Sequence, residues 1–345
     1  MRVLPCRRIG TLAAWIVSSC VWGVIVLVVS VDVGAGGGWV DVQPATRLTD
    51  RAEFSRSHSA GELRVLVTIP PLRSLAEPLA RAVGGRVEIL VKPGHSEHNF
   101  EIGPEELASL ARADVIVQVG LGLDATVDTF VRDNPREARR VVIFAAAVGD
   151  EAVRTIQNPP CTAAEHDGHE HADHPAPDTH LWLDPILVRA LVPEIRRAVD
   201  SVARARDISI DRLDDAEKRV LDEVNAVHDE YTASLAAIPA KDIITAHDAW
   251  RRPAGRYGLN VRAVLHLHPG EGSEVDPRSL AEAVTAIREH GVRAVFTEPQ
   301  LDSVPSRRLA ERAGLRLGVL DPLGEGDWAA MMRANLESLK KALGP

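Results

Sequence analysis

From residue 63 onward, apolar residues fall into two alternating patterns. One is short and continuous: 63–69 (Leu63-Arg64-Val65-Leu66-Val67-Thr68-Ile69), 87–91, 114–119 and 141–144 in the first half, then 242–245, 261–267, 292–297 and 316–320 in the second. Such β-branched runs closed by Pro or Gly predict strands buried on both faces, as in parallel sheets. The other pattern recurs every three or four residues and predicts helices over 72–83, from Pro104, and over 187–204, 211–237, 279–290, 306–313 and 328–343. The stretch 211–237 is long and charged. Its apolar positions Leu213, Val220, Val224, Val227, Tyr231 and Leu235 stand three, four or seven apart. Alternating strands and helices on either side of that stretch predict an α/β protein of two lobes, each with parallel-sheet βα repeats, joined by a long linking helix.

Composition narrows the class. The chain has 345 residues, 45% hydrophobic and 26% charged, enough for two lobes. A net charge of −9 without a basic stripe argues against nucleic acid as a partner. Of the three cysteines, Cys6, Cys20 and Cys161, only the last lies outside the N-terminal segment, so no disulfide framework is expected. Arg2, Arg7 and Arg8 precede the uncharged stretch 9–31, and Asp32 is the first acid. That order marks residues 1–33 as a signal peptide or membrane anchor, and Val17-Ser18-Ser19-Cys20 resembles a lipidation site at Cys20. Each alternative puts the remainder outside the cytoplasm, in the periplasm or at the cell surface, with 34–62 as a flexible tether. The body divides into an N-terminal lobe over 63–185, a helical linker over 186–240 and a C-terminal lobe over 241–345.

Histidine placement suggests the chemistry. His166, His169, His171 and His174 lie among Asp, Glu, Gly and Ala over 165–174, without apolar periodicity; they read as a solvated loop that gathers metal weakly. His180 differs, because it opens the apolar run Leu181-Trp182-Leu183. In open α/β sheets, ligands bind beyond the carboxyl ends of strands. His98 follows the strand 87–91, His247 follows Ile243-Ile244-Thr245, and Asp321 comes directly after Leu320. Singly, each has a bland explanation as a loop, cap or turn residue. Together with His180 they offer three imidazoles and a carboxylate, a complete tetrahedral set for zinc with no position open for an activated water. Binding rather than catalysis is expected.

The motifs carrying these residues resemble, in order and over about 63–343, the metal-binding receptors of bacterial ABC importers for zinc and manganese, the cluster A-I solute-binding proteins. The first-ligand loop resembles Gly94-His95-Ser96-Glu97-His98-Asn99-Phe100-Glu101, and the second-ligand motif His180-Leu181-Trp182-Leu183-Asp184-Pro185. The third resembles Ala246-His247-Asp248-Ala249 with Arg256-Tyr257-Gly258-Leu259, and the last segments Phe296-Thr297-Glu298-Pro299-Gln300 and Leu320-Asp321-Pro322-Leu323-Gly324. The resemblance implies one metal held between two lobes by a stiff linker, and delivery by a monomeric receptor to a membrane permease. A histidine at 247, where manganese members usually place a carboxylate, points to zinc, with manganese or iron as the alternative. Glu97 is a possible auxiliary oxygen donor.

Two departures stand out. Trp250-Arg251-Arg252-Pro253 replaces residues that are commonly aromatic, and two arginines beside a cation site need acidic partners or must point away. His266 and His268 share one strand face and form either a rim pair or a minor metal site. Readings outside the receptor class are an exported zinc hydrolase, for which no His-Glu-x-x-His helix is present, and a metal-dependent adhesin. If the loop histidines are accessory, deleting residues 165–174 leaves the tight site's affinity unchanged and lowers capture only at scarce metal. Equilibrium titration of the deleted and full chains checks this, and loss of tight binding contradicts it.

Overall fold

In the computed structural model, the described residues are 16–20, 23–27, 62–98, 100–154, 178–266, 275 and 277–344. The histidine-rich stretch, all of the tether but Glu62, His268 and Cys161 lie outside them. The chain divides into two units, Met1–Ser59 and Ala60–Pro345. In the first, β1 (Ile16–Cys20) and β2 (Gly23–Leu27) pair antiparallel as a hairpin within the stretch expected to export or anchor the chain. No helix among the described residues is long and apolar enough to cross a membrane.

The second unit carries the two expected lobes. The first sheet contains β3 (Arg64–Val67), β4 (Arg86–Ile89), β5 (Val115–Gln118) and β6 (Arg140–Ile143), all parallel, in the order β4-β3-β5-β6. Its crossovers are α1 (Leu72–Ala82), α2 (Pro104–Arg112) and α3 (Ala125–Asp133). The sequence pattern did not predict α3, a short helix whose apolar stripe is limited to Val127, Phe130 and Val131. Two one-turn helices, α4 (Phe144–Val148) and α5 (Asp150–Arg154), end this part. The second sheet contains β7 (Asp242–His247), β8 (Asn260–His266), β9 (Ala294–Thr297) and β10 (Arg316–Val319), also parallel, in the order β10-β9-β7-β8. Its helices are α8 (Arg251–Tyr257), α9 (Pro277–His290), α10 (Val304–Ala313) and α11 (Trp328–Leu343).

Between the sheets run α6 (Pro185–Ala205) and α7 (Leu213–Ala236), the latter within two residues of the expected strut. Asp184 caps α6 by accepting from the Ile186 N–H, and Pro185 occupies its first turn, where no intrahelical donor is needed. The helix α7 buries Leu213, Ala216, Val220, Val224, Val227, Tyr231 and Leu235, the residues its spacing singled out plus one alanine. Alternate strand residues explain why the strands read as continuous apolar runs. Val65 and Val67 join a core that continues through α6 and α7 to Leu320 and α11, whereas Leu66 faces a separate cluster with Leu110, Ile116 and Val127.

One core therefore serves both lobes, and polar contacts lock it. Trp182 Nε1 donates to Pro322 O at 2.6 Å, and Trp328 Nε1 donates to Trp182 O at 2.7 Å. Tyr231 Oη donates to Met332 O at 2.7 Å. Each donor is buried and would forfeit its partner on unfolding or lobe separation. Replacing Trp328 with Phe removes one such bond and opens a small void, costing about 2 kcal/mol or more. Denaturant unfolding monitored by far-UV circular dichroism checks this; an unchanged midpoint would show that the lock carries no stability.

Candidate metal centre

Three of the four residues expected to bind metal meet between the lobes. Glu97 and His98 lie in the loop after β4, His180 immediately precedes the 3-10 turn Leu181–Leu183, and His247 is the last residue of β7. One donor atom from each of Glu97, His98, His180 and His247 lies within 4.8 Å of all the others. His247 Nε2 stands 3.0 Å from His180 Nε2 and 3.3 Å from His98 Nε2. Glu97 Oε1 stands 3.7 Å from Nε2 of both His98 and His180. Tetrahedral zinc with bonds of about 2.0–2.1 Å requires donor atoms about 3.3–3.4 Å apart, and these separations bracket that value. Glu97 Oε1 is buried and has no hydrogen-bond partner among the described residues. A carboxylate oxygen in that state is costly to bury unless a cation shares its space.

Asp321 stands outside this group. Its Oδ1 accepts from Gln300 Nε2 at 2.9 Å and from the Leu323 and Gly324 N–H groups at 3.0 Å each. Its backbone exchanges two 2.8 Å bonds with the Asn335 amide. The carboxylate thus builds the turn after β10, where Gly324 takes a left-handed φ of 57°. Glu97, expected only as an auxiliary donor, is the oxygen placed among the imidazoles. His266 pairs in register with His247 and is buried with neither ring nitrogen bonded. The four loop histidines and His268 lie outside the described residues.

Two carboxylates to which the sequence reading assigned no role orient the rings from behind. His180 Nδ1 donates to Asp178 Oδ1 at 2.8 Å, and His247 Nδ1 donates to Glu298 Oε2 at 2.8 Å. Each bond commits Nδ1 as donor and turns Nε2 toward the shared centre. The available signals were Glu298 at the end of β9, in the same strand-end position as His247, and Asp178 two residues before His180. Both arginines that seemed hostile to a cation are paired: Arg251 with Asp248, and Arg252 with Asp178 at 3.0 Å.

The charges are strongly coupled. Burial disfavours charge on Glu97, but His180, with His98 and His247, outweighs it and brings the carboxyl down to about 2. Burial also opposes charge on His180, yet Asp178 and Glu97 raise it to about 10. His98 has no second carboxylate, so burial wins and lowers it to about 4. The two carboxylates thus favour the charged form of His180, whose Nδ1 donates to Asp178 and whose Nε2 lies 3.0 Å from His247 Nε2.

Fold and site together define a two-lobed α/β protein with a metal-competent cluster between its lobes. The family model for "Zinc-uptake complex component A periplasmic" (ZnuA) matches residues 65–342, and the chain belongs to that family. It is 25% identical over 302 residues to the zinc-binding protein AdcA of Streptococcus pyogenes, covering 81% of this chain and 56% of the relative. The chain thus spans little more than half the length of that protein. It is also 25% identical over 300 residues to the high-affinity zinc uptake system protein ZnuA of Brucella abortus, covering 79% of this chain and 88% of the relative. A crystal structure of ZnuA superposes with a TM-score of 0.66 at 23% identity, covering 82% of this chain and 100% of the other.

The coupled charges have a consequence for pH. His180 is raised above its ordinary value, so its charge contributes stability fully below about pH 6.5 and loses it as pH rises through about 10. Glu97 is lowered, so its contribution is present above about pH 4.5 and is lost as pH falls through about 2. Histidine NMR on metal-free protein is expected to find the His180 ring still charged at pH 8 and the His98 ring neutral. A His180 midpoint near that of a free imidazole would contradict the assignment.

Proposed function

We propose that this chain is an extracytoplasmic receptor that captures zinc through Glu97, His98, His180 and His247 and delivers it to the permease of an ABC importer. The observation that carries the reading is the convergence of three imidazole Nε2 atoms on an unpartnered, buried carboxylate oxygen. Family membership supports the transport role, as do relatives that bind zinc or take it up by name. Three nitrogens and one oxygen suit zinc better than manganese, which favours oxygen-rich coordination. The four donors complete a tetrahedron, leaving no place for a metal-bound water to act as nucleophile, so the site stores and releases its ion rather than performing hydrolysis. In this reading residues 1–33 export or anchor the chain, 34–62 tether it, and His166, His169, His171 and His174 gather metal before it reaches the ordered site.

Metal analysis of protein purified without added metal, followed by competition titration, tests the proposal. One zinc per chain is expected, preferred over manganese and bound less tightly as pH falls, because the entering ion competes with protons. His98→Ala combined with His247→Ala abolishes tight binding. Glu97→Gln weakens it at least tenfold, on the scale of lost metal contacts. Asp321→Asn, which keeps a turn-forming oxygen, weakens it less. Stoichiometric binding by the double histidine variant, or preference for manganese, overturns the reading; equal losses for Glu97→Gln and Asp321→Asn return Asp321 to the site.

A further inference from the structure

Arg252, in the Trp250-Arg251-Arg252-Pro253 departure, is ion-paired with Asp178 behind His180. Its guanidinium is buried and spread over three points of the N-terminal lobe. Nη1 donates to Ala152 O at 3.2 Å, and Nη2 donates to Val153 O at 2.5 Å and to Asp178 O at 3.1 Å. Nε lies 3.0 Å from Asp178 Oδ2. Ala152 and Val153 stand just before residues 155–177, and Asp178 just after them. The other oxygen of the Asp178 carboxylate takes both the backbone N–H of His180, at 2.9 Å, and its Nδ1, at 2.8 Å.

We propose that Arg252 is a positioning residue for the metal centre. From the C-terminal lobe it ties Ala152 and Val153 to Asp178, and through Asp178 it sets the direction of the His180 ring. The inference rests on His180 holding the captured ion, as proposed above. Its physical basis is the planar fork. An arginine presents several donors at fixed angles and so spans the Ala152, Val153 and Asp178 carbonyls while its charge is ion-paired with the Asp178 carboxylate, which the single ammonium of lysine cannot do. A buried cation near a cation site is otherwise a liability, because it repels the incoming ion. If Arg252 served only to neutralise Asp178, removing it would strengthen metal attraction. If it positions His180, removing it lets the ring drift and weakens binding. The two roles predict opposite signs.

Arg252→Lys keeps the charge and loses the fork; Arg252→Met loses both. Competition of zinc against a calibrated chelator is expected to show about tenfold weaker binding for Arg252→Lys and at least that for Arg252→Met, the range set by loss of groups that orient metal-binding histidines. In metal-free protein, nitrogen-15 NMR of the imidazoles is expected to show a displaced or broadened His180 Nδ1 signal in both variants. The His247 ring, held by Glu298, stays unchanged. Wild-type affinity and an unmoved His180 signal in Arg252→Lys overturn the proposal, as does tighter zinc binding by Arg252→Met. Should Arg252→Met fail to fold, Arg252→Lys decides the matter. His180→Ala is the control that separates the two levels. If it binds zinc like the wild type, the metal-centre reading itself fails. If it loses zinc while Arg252→Lys does not, only the role of Arg252 fails.

Discussion

Three imidazole nitrogens and a carboxylate oxygen gathered within 4.8 Å of one another form an arrangement that a positive charge at its centre stabilises. The nitrogens repel if all are bare, and Glu97 Oε1 is buried without a hydrogen-bond partner among the described residues. In the metal-free chain the flanking carboxylates favour charge on His180. In the proposed function a captured cation takes over that role. Most of the structure around the cluster can be understood as holding that unstable grouping in place.

The scaffold does so by making the two lobes share one core. His98 and His180 come from the first lobe's loops and His247 from the second lobe's central strand, so donor spacing depends on how the lobes are set against each other. The helices α6 and α7 run through the common core, and Trp182, which stands two residues after His180, is bonded across to Pro322 and accepts from Trp328. A packed interface of this kind has few alternative arrangements, because displacement would strand buried donors. The site is thus preorganised by the same residues that stabilise the fold.

Charge is arranged in alternating layers outward from the centre. Behind His180 is Asp178, and behind Asp178 is Arg252; behind His247 is Glu298. Each carboxylate fixes a ring tautomer and raises the basicity of the nitrogen that faces the ion. The arginine compensates a carboxylate that would otherwise be buried alone. The layering also explains how Arg251 and Arg252 coexist with a cation site: both are paired with aspartates, and neither points an unmatched charge at the centre.

The residue pattern by itself determined the architecture, because strands buried on both faces and a helix with a narrow apolar seam leave unmistakable periods. The eight strands of the two sheets and the helix α7 lie within a few residues of where those periods place them. The sequence also marked His98, His180 and His247, since a histidine beyond a buried strand is an unusual and chemically specific choice. Only the tertiary structure shows which carboxylate lies among the imidazoles. Glu97 and Asp321 are both carboxylates near strand ends, and nothing local distinguishes them. Asp321 is engaged by two backbone donors of its own turn and by Gln300, the last a contact that exists only once β9 and β10 lie side by side. The pairings of Asp178, Glu298 and Arg252 were likewise left to the tertiary structure, because a residue that works by touching another's far side acquires its partner from distance in space, 74 residues along the chain in the case of Arg252 and Asp178.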